Sequence, residues 1–115
     1  MATLNFEMAT ENVKKAVLIT GCDTGFGHSL ALHLAENHPN WLTFACCFDS
    51  NSEGAEALRQ KEGLVVFQVD VTSRKSVDDL QKAVKATLDH EKAQLFVLAN
   101  NAATLVFADA IWQKE

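Results

Sequence analysis

The amino-acid sequence predicts an α/β fold in which a doubly wound parallel sheet carries helices on both faces. Four short apolar segments alternate with three segments of helical spacing, and this alternation favours parallel strands joined by right-handed crossovers. The apolar segments are hydrophobic on both faces, as strands inside a parallel sheet are. A glycine-rich turn joins the first of them to the first helix. We therefore expect the order β-α-β-α-β-α-β and a strand order of 3-2-1-4, which is the N-terminal half of a doubly wound sheet.

Apolar runs and turn residues set the boundaries of the predicted elements. The predicted strands are 16–20, 41–48, 64–69 and 94–99, and the predicted helices are 26–36, 53–60 and a third that reaches residue 89. Thr72 or Ser73 can cap the third helix. In the first helix, Phe26, Leu30 and Leu34 share one face. Residues 1–13 predict a flexible lead-in, and residues 14–115 a partial domain truncated after the fourth strand, with the start of a further helix at 106–115.

The composition is typical of one globular domain without a nucleic-acid surface. The chain has 115 residues, of which 48% are hydrophobic and 22% charged, and its net charge is −5. No run approaches the length of a membrane span, and no apolar leader is seen, so we expect a cytoplasmic protein. The four histidines are scattered and predict no metal site. Cys22, Cys46 and Cys47 are typical of small buried side chains in a reducing compartment, and the last two should point to opposite faces of their strand.

The turn at residues 20–27, Thr-Gly-Cys-Asp-Thr-Gly-Phe-Gly, has the features of a phosphate site. Gly21 can take the tight turn that leaves the strand, and Gly25 has no Cβ to keep a pyrophosphate away from the backbone. Gly27 would let the helix pack close to the strand. The free N–H groups of the helix start then face the anion. A simple turn with a helix cap is the alternative; a P-loop is not, because no Gly-Lys-Ser/Thr follows.

The spacing Thr-Gly-x-x-x-Gly-x-Gly resembles the short-chain dehydrogenase/reductase family, most closely the branch of retinol, hydroxysteroid and hydroxybutyrate dehydrogenases. The resemblance runs from Lys14 to the end of the chain. It implies a Rossmann-type fold, a nicotinamide dinucleotide cofactor and a small-molecule alcohol or ketone substrate. It also implies cofactor contacts from the turn residues, which are Thr20, Gly21, Asp23, Thr24, Gly25, Phe26 and Gly27.

The end of the second strand bears on the choice between NAD and NADP. An acidic side chain there accepts hydrogen bonds from the ribose 2′-hydroxyl of NAD, whereas a basic one pairs with the additional phosphate of NADP. Cys47 stands where the family often has its acidic residue, and Asp49 follows two positions on. Between residues 47 and 60 the single basic residue is Arg59. We therefore favour NAD, with NADP as the alternative; an ordinary turn residue is the other interpretation of Asp49.

Two further segments resemble family motifs. Asp70 and Val71 follow the third strand, where the resemblance implies that the aspartate binds the adenine amino group and the valine lies against the ring. A helix N-terminal acid is the other interpretation of Asp70. The sequence Asn-Asn-Ala-Ala at 100–103 resembles the family's Asn-Asn-Ala-Gly, which implies that Asn100 and Ala102 line the cofactor. Ala103 replaces the usual glycine.

No catalytic residue is expected within this chain. The resemblance implies a tyrosine that exchanges the proton, a lysine four residues after it and a serine, yet the chain contains no tyrosine. Two functions therefore stay open: the cofactor-binding half of an oxidoreductase, or a catalytically inactive nucleotide-binding fragment or partner of a full-length relative. We also expect the apolar fourth strand to form an exposed edge that favours self-association.

Overall fold

The computed structural model describes residues 13–99. Its strands are β1 (Lys14–Ile19), β2 (Leu42–Cys47), β3 (Leu64–Gln68) and β4 (Ala93–Ala99). Its helices are α1 (Gly25–Asn37), α2 (Glu53–Arg59) and α3 (Arg74–Glu91). Every element predicted between residues 14 and 99 is present, and each of its boundaries lies within two residues of the expected position. The lead-in before residue 13 and the further helix at 106–115 lie outside the described residues.

The four strands form one parallel sheet in the order β3-β2-β1-β4, which confirms the predicted topology. Ala16 of β1 pairs with Leu42 of β2 on one side and with Leu95 of β4 on the other. The central strand β2 is buried along its whole length, because helices cover both of its faces. All three pairings are parallel, so the carboxyl ends of the strands meet at one edge of the sheet.

Two apolar clusters fill the space between the sheet and its helices. Helix α3 contributes Val77, Leu80 and Val84 to one face, whereas α1 and α2 cover the other. The neighbouring residues Cys46 and Cys47 belong to different clusters, as the alternation of a strand requires. This confirms that the two thiols face opposite sides of the sheet and are buried.

The three helices begin in different ways. Ser52 caps α2 by accepting a hydrogen bond from the Ala55 N–H at 3.1 Å, and Ser73 caps α3 by accepting one from the Ser76 N–H at 3.2 Å. Of the two candidates for the second cap, Ser73 is therefore the one used. Thr24 precedes α1 in an extended conformation, and its side chain makes no capping bond.

The apolar face of α1 is only partly covered by the sheet. Leu30 and Leu34 pack against the sheet, but Phe26 is 71% exposed although it shares their helical spacing. Phe26 lies in the first turn of the helix, past the last paired residue of β1, so the sheet offers no apolar surface beneath it. Helical spacing selects a face, and the length of the sheet decides how much of that face is covered.

Strand β4 is the exposed edge that the sequence predicted. Among the described residues it pairs with β1 alone, and Leu95, Phe96 and Val97 are all exposed. The pairing register shifts so that Phe96 is passed over between its two neighbours. Its ring instead meets Trp41 edge to face, with centroids 5.6 Å apart. None of the helices within residues 13–99 combines the length and the apolar character needed to cross a bilayer.

Candidate functional site

The glycine turn lies at the carboxyl end of β1. Thr20 is buried, and its N–H donates to the Ala99 carbonyl of β4 at 3.1 Å. Gly21 and Gly25 both have φ of +69°, a conformation that side-chain-bearing residues rarely adopt. A Cβ built on Gly25 would meet no heavy atom within 4 Å, so the space above this residue is open. Gly27 is buried in the first turns of α1.

The start of α1 is suited to an anion. No acidic residue lies in its first turn, and the Thr24 side chain accepts no hydrogen bond from the helix N–H groups. These N–H groups and the positive end of the helix dipole therefore meet no side chain that caps them. In the part of the chain that the structure describes, the other two helices have serine caps.

Asp23 connects the glycine turn to the end of β2. Its Oδ1 accepts a hydrogen bond from the Phe48 N–H at 2.8 Å, and its Oδ2 accepts one from the Asp49 N–H at 3.1 Å. A further contact stiffens the turn, since Nδ1 of His28 donates to the Cys22 carbonyl at 3.1 Å. Local sequence patterns gave no signal for these bonds, because Asp23 and its partners are far apart in the chain.

Asp49 begins the loop after β2 and is exposed. Its Oδ1 accepts a hydrogen bond from the Asn51 N–H at 2.9 Å, which is the turn-forming contact that the alternative interpretation expected. Next to it, Oε1 of Gln68 accepts hydrogen bonds from the N–H and the hydroxyl of Ser50 at 3.2 and 2.8 Å. This glutamine at the end of β3 was not among the predicted site residues.

Gly54, in the first turn of α2, is the other residue that sequence analysis missed. A Cβ at this position would overlap the carbonyl oxygen of Asp23 and lie 3.4 Å from Nδ1 of His28. The glycine thus allows α2 to approach the turn backbone. A glycine inside a short helix is a signal of close approach, but it does not say to what.

Asp70 and Val71 follow β3. Oδ1 of Asp70 accepts hydrogen bonds from the hydroxyl and the N–H of Thr72, at 2.6 and 3.0 Å, and these lower the pKa of its carboxyl group. The Asp70 N–H donates to the Ser76 hydroxyl at 2.8 Å, which ties the loop to α3. Val71 is half-buried and packs against the cluster on the α3 face.

The described site residues gather at one edge of the sheet. The turn follows β1, Asp49 follows β2 and Asp70 follows β3, and these strands are parallel neighbours. In doubly wound folds this edge is where ligands bind. Two exposed rings belong to segments at this edge, since Phe26 is in the first turn of α1 and Phe48 directly follows β2. The predicted residues Asn100 and Ala102 lie outside the described part of the chain.

The three thiols beneath this edge are protonated at neutral pH. Burial, with the neighbouring Cys47, raises the pKa of Cys22 to about 12. Burial, with the Asp23 carboxylate, raises the pKa of Cys47 to about 11, and burial raises that of Cys46 well above its usual value. Thiols of this kind are poor nucleophiles, because the thiolate is the reactive form.

Three comparisons identify related proteins. Mitochondrial D-beta-hydroxybutyrate dehydrogenase of Bos taurus is 38% identical over 99 residues, which are 83% of this chain and 28% of the relative. Estradiol 17-beta-dehydrogenase 2 of Rattus norvegicus is 40% identical over 96 residues, 82% of this chain and 24% of the relative. The chain therefore spans less than a third of the length of either relative.

A solved structure shares the fold. The NADPH-bound carbonyl reductase from chicken fatty liver matches with a TM-score of 0.69 at 27% identity, over 82% of this chain and 36% of that one. The sequence profile of the short chain dehydrogenase family matches residues 15–114, from the start of β1 almost to the last residue. Topology, relatives and profile agree with the resemblance first seen in the glycine turn, and the chain belongs to the short-chain dehydrogenase family of oxidoreductases.

Proposed function

We propose that residues 14–115 are the cofactor-binding half of an oxidoreductase that transfers hydride between a nicotinamide dinucleotide and an alcohol or ketone. The substrate would be retinoid-like, steroid-like or a hydroxy acid, since the named relatives act on compounds of the last two kinds. The bound dinucleotide would accept or supply the hydride. The residues of this chain would bind and orient it.

The observation that best supports this cofactor-binding function is the open space above Gly25 at the start of α1. The positive φ of this residue leaves a cradle beside the uncapped helix start, because no atom other than those of its chain neighbours and the adjoining α1 backbone lies within 4 Å of its would-be Cβ. A pyrophosphate supplies the negative charge and the acceptor oxygens that such a cradle lacks. Thr20, Gly21, Asp23, Thr24, Phe26 and Gly27 would surround it.

The other site residues would hold the adenosine part. Asp70 is ionised and lies at the end of β3, where its remaining acceptor capacity could take a hydrogen bond from the adenine amino group. Val71 would lie against the adenine ring, and Asn100 and Ala102 would line the ribose nearer the nicotinamide. We favour NAD over NADP because Asp49 is acidic and because Arg59, the single basic residue between positions 47 and 60, is paired with Glu56 at 3.5 Å.

The proton of the substrate hydroxyl would be exchanged by a group from outside this chain. The sequence contains no tyrosine, which is the general acid/base that the family resemblance implies. The inactive nucleotide-binding fragment, which was the alternative, needs the same cofactor site. No observation of the described residues favours it over the enzyme half.

The first experiment is a titration of the chain with NADH, followed by fluorescence. The variant Gly25→Ala should weaken binding at least about tenfold, because its methyl group would enter the space proposed for the pyrophosphate. The matched control is Gly63→Ala. Gly63 also has a positive φ, of +87°, but it precedes β3 and so lies at the amino ends of the strands, away from the glycine turn. Equal weakening by both variants, or no binding by the unmodified chain, would contradict the proposed function.

We also propose that two copies of the chain associate through β4. The strand presents three exposed apolar side chains and, among residues 13–99, an unpaired edge. Such an edge can pair with a second strand through its free N–H and C=O groups. A cytoplasmic location stays a prediction from the sequence.

A further inference from the structure

The five backbone N–H groups that follow β2 all have acceptors. The carboxylate of Asp23 takes those of Phe48 and Asp49, at 2.8 and 3.1 Å. Side chains of Gln68 and Asp49 take the next two, at 3.2 and 2.9 Å, and the Asp49 carbonyl takes that of Ser52 at 3.1 Å. The backbone of residues 48–52 therefore has no N–H group left to donate, and the carboxylates of Asp23 and Asp49 lie beside it.

Consecutive backbone N–H groups at the end of a strand are a potential anion site. Here the first two of these groups, on Phe48 and Asp49, already donate hydrogen bonds to the carboxylate of Asp23 in the glycine turn. The Asp23 backbone is also in close contact with α2, because Gly54 lets the start of that helix lie directly on the Asp23 carbonyl group. The anion that this part of the loop can hold is thus already present as part of the protein.

We infer that Asp23 is the residue that selects a dinucleotide with a free adenosine 2′-hydroxyl over one with a 2′-phosphate. It does so by occupying the Phe48 and Asp49 N–H groups and by placing its charge beside them. This inference rests on the proposed function, since it requires a dinucleotide whose adenosine ribose lies at the end of β2. According to this inference, the residue that discriminates between NAD and NADP is Asp23 of the glycine turn and not Asp49 at the end of β2.

The loop after β2 is a better neighbour for a 2′-hydroxyl than for a 2′-phosphate. A 2′-phosphate carries between one and two negative charges and needs hydrogen-bond donors. It would meet the carboxylates of Asp23 and Asp49 and find the backbone N–H groups of the loop already bonded. A 2′-hydroxyl is neutral and can itself donate to a carboxylate oxygen. Asp23 therefore acts against the phosphate both by charge and by competition for the N–H groups.

The test is the ratio of NADPH and NADH dissociation constants, measured by fluorescence titration of the full chain. Asp23→Ser frees both N–H groups and removes the charge. Asp23→Asn removes the charge but keeps one acceptor oxygen, so it serves as the milder variant if serine loosens the turn. The matched control is Asp79→Asn on α3, which removes the same charge from an exposed pair with Lys75. The variant Asp49→Asn distinguishes selection of the cofactor by Asp49 from selection by Asp23.

We expect the unmodified chain to prefer NADH, and Asp23→Ser to shift the ratio toward NADPH by at least about tenfold through tighter NADPH binding. Asp23→Asn should give a smaller shift in the same direction, and Asp79→Asn none. Asp49→Asn should weaken the binding of NADH without strengthening the binding of NADPH. The inference is overturned if NADH binds but neither Asp23 variant gains NADPH affinity, or if the unmodified chain prefers NADPH. Failure of NADH to bind would overturn the proposed function itself.

Discussion

Gly54 of α2 packs directly on the backbone carbonyl of Asp23. A Cβ at position 54 would overlap the carbonyl oxygen and lie 3.0 Å from the carbonyl carbon, so two segments 31 positions apart in the sequence approach as closely as glycine allows. Backbone atoms cannot swing aside as a long side chain can. The contact therefore couples the position of α2 to the shape of the glycine turn.

The first prediction follows from this contact. Gly54→Ala should lower the free energy of unfolding by about 1–3 kcal/mol, because the methyl group forces backbone segments apart. Helix propensity alone would give the opposite sign, since alanine is favoured over glycine by about 1 kcal/mol. Urea denaturation followed by circular dichroism measures the change. Glu53→Ala, an exposed neighbour in the same helix turn, should change stability by only a few tenths; a stabilised Gly54→Ala variant would show that the overlap is relieved at no cost.

A second prediction concerns Thr43, whose hydroxyl is buried and has no hydrogen-bond partner among the described residues. Thr43→Val replaces the hydroxyl by a methyl group of similar size and should stabilise the fold by about 1 kcal/mol, because no buried polar atom is left unpaired. The comparison is Thr87→Val in α3, where the hydroxyl donates to the Ala83 carbonyl at 3.0 Å. That variant should be neutral or destabilised. Thermal melting of both proteins decides the matter, and a loss of stability in Thr43→Val would mean that its hydroxyl has a partner in solution.

The third prediction tests association through β4. Val97→Lys should shift sedimentation toward the monomer across a concentration series, because a lysine at an apolar strand edge opposes pairing with another strand. Gln94→Lys introduces the same charge into the same strand at a position that is already polar, and it should have the smaller effect. A protein that sediments as a monomer at every concentration before any substitution would contradict self-association.

The fourth prediction is a dependence of stability on pH. The folded-state pKa values of Cys47 and Cys22, about 11 and about 12, are raised, mainly by burial, above the value of 9.0 for a free thiol. The folded state therefore holds these protons more tightly. The stabilisation is fully present below about pH 9 and is lost as the pH rises through the folded-state values.

Urea titrations at several pH values between 7 and 10, under reducing conditions, measure this slope. Stability should fall above about pH 9, and Cys47→Ala should reduce the steepness of the fall by removing one of the linked thiols. A slope that is unchanged in the variant would assign the alkaline loss of stability to other groups.

The fold could be predicted from the sequence because its signals are local and repeated. Alternating apolar and helical segments leave few ways to connect a parallel sheet, and the right-handed crossover rule selects among them. The pair Cys46 and Cys47 shows the same point at the level of single residues, since alternation along a strand sends neighbours to opposite faces.

The site could be predicted only in part, because some of its contacts join distant segments. The glycine turn has a short sequence pattern, and Gly21 and Gly25 have the positive φ that this pattern suggested. The bonds from Asp23 to the end of β2 have no such pattern, because they depend on how β1 and β2 lie side by side. The exposure of Phe26 likewise depends on where the sheet ends.

The pairing of β1 with β4 has a consequence for how the chain folds. Lys14 at the start of β1 lies beside Ala93 at the start of β4. The strand β1 therefore gains its second neighbour only from the last strand that the structure describes. Contacts between residues so distant in sequence require a long loop to close first, and they slow folding. During synthesis, the side of β1 that pairs with β4 would stay unpaired until residues 93–99 had left the ribosome. We therefore expect a newly made chain to expose apolar surface on β1 until residues 93–99 have been synthesised, and to bind chaperones that recognise such surfaces.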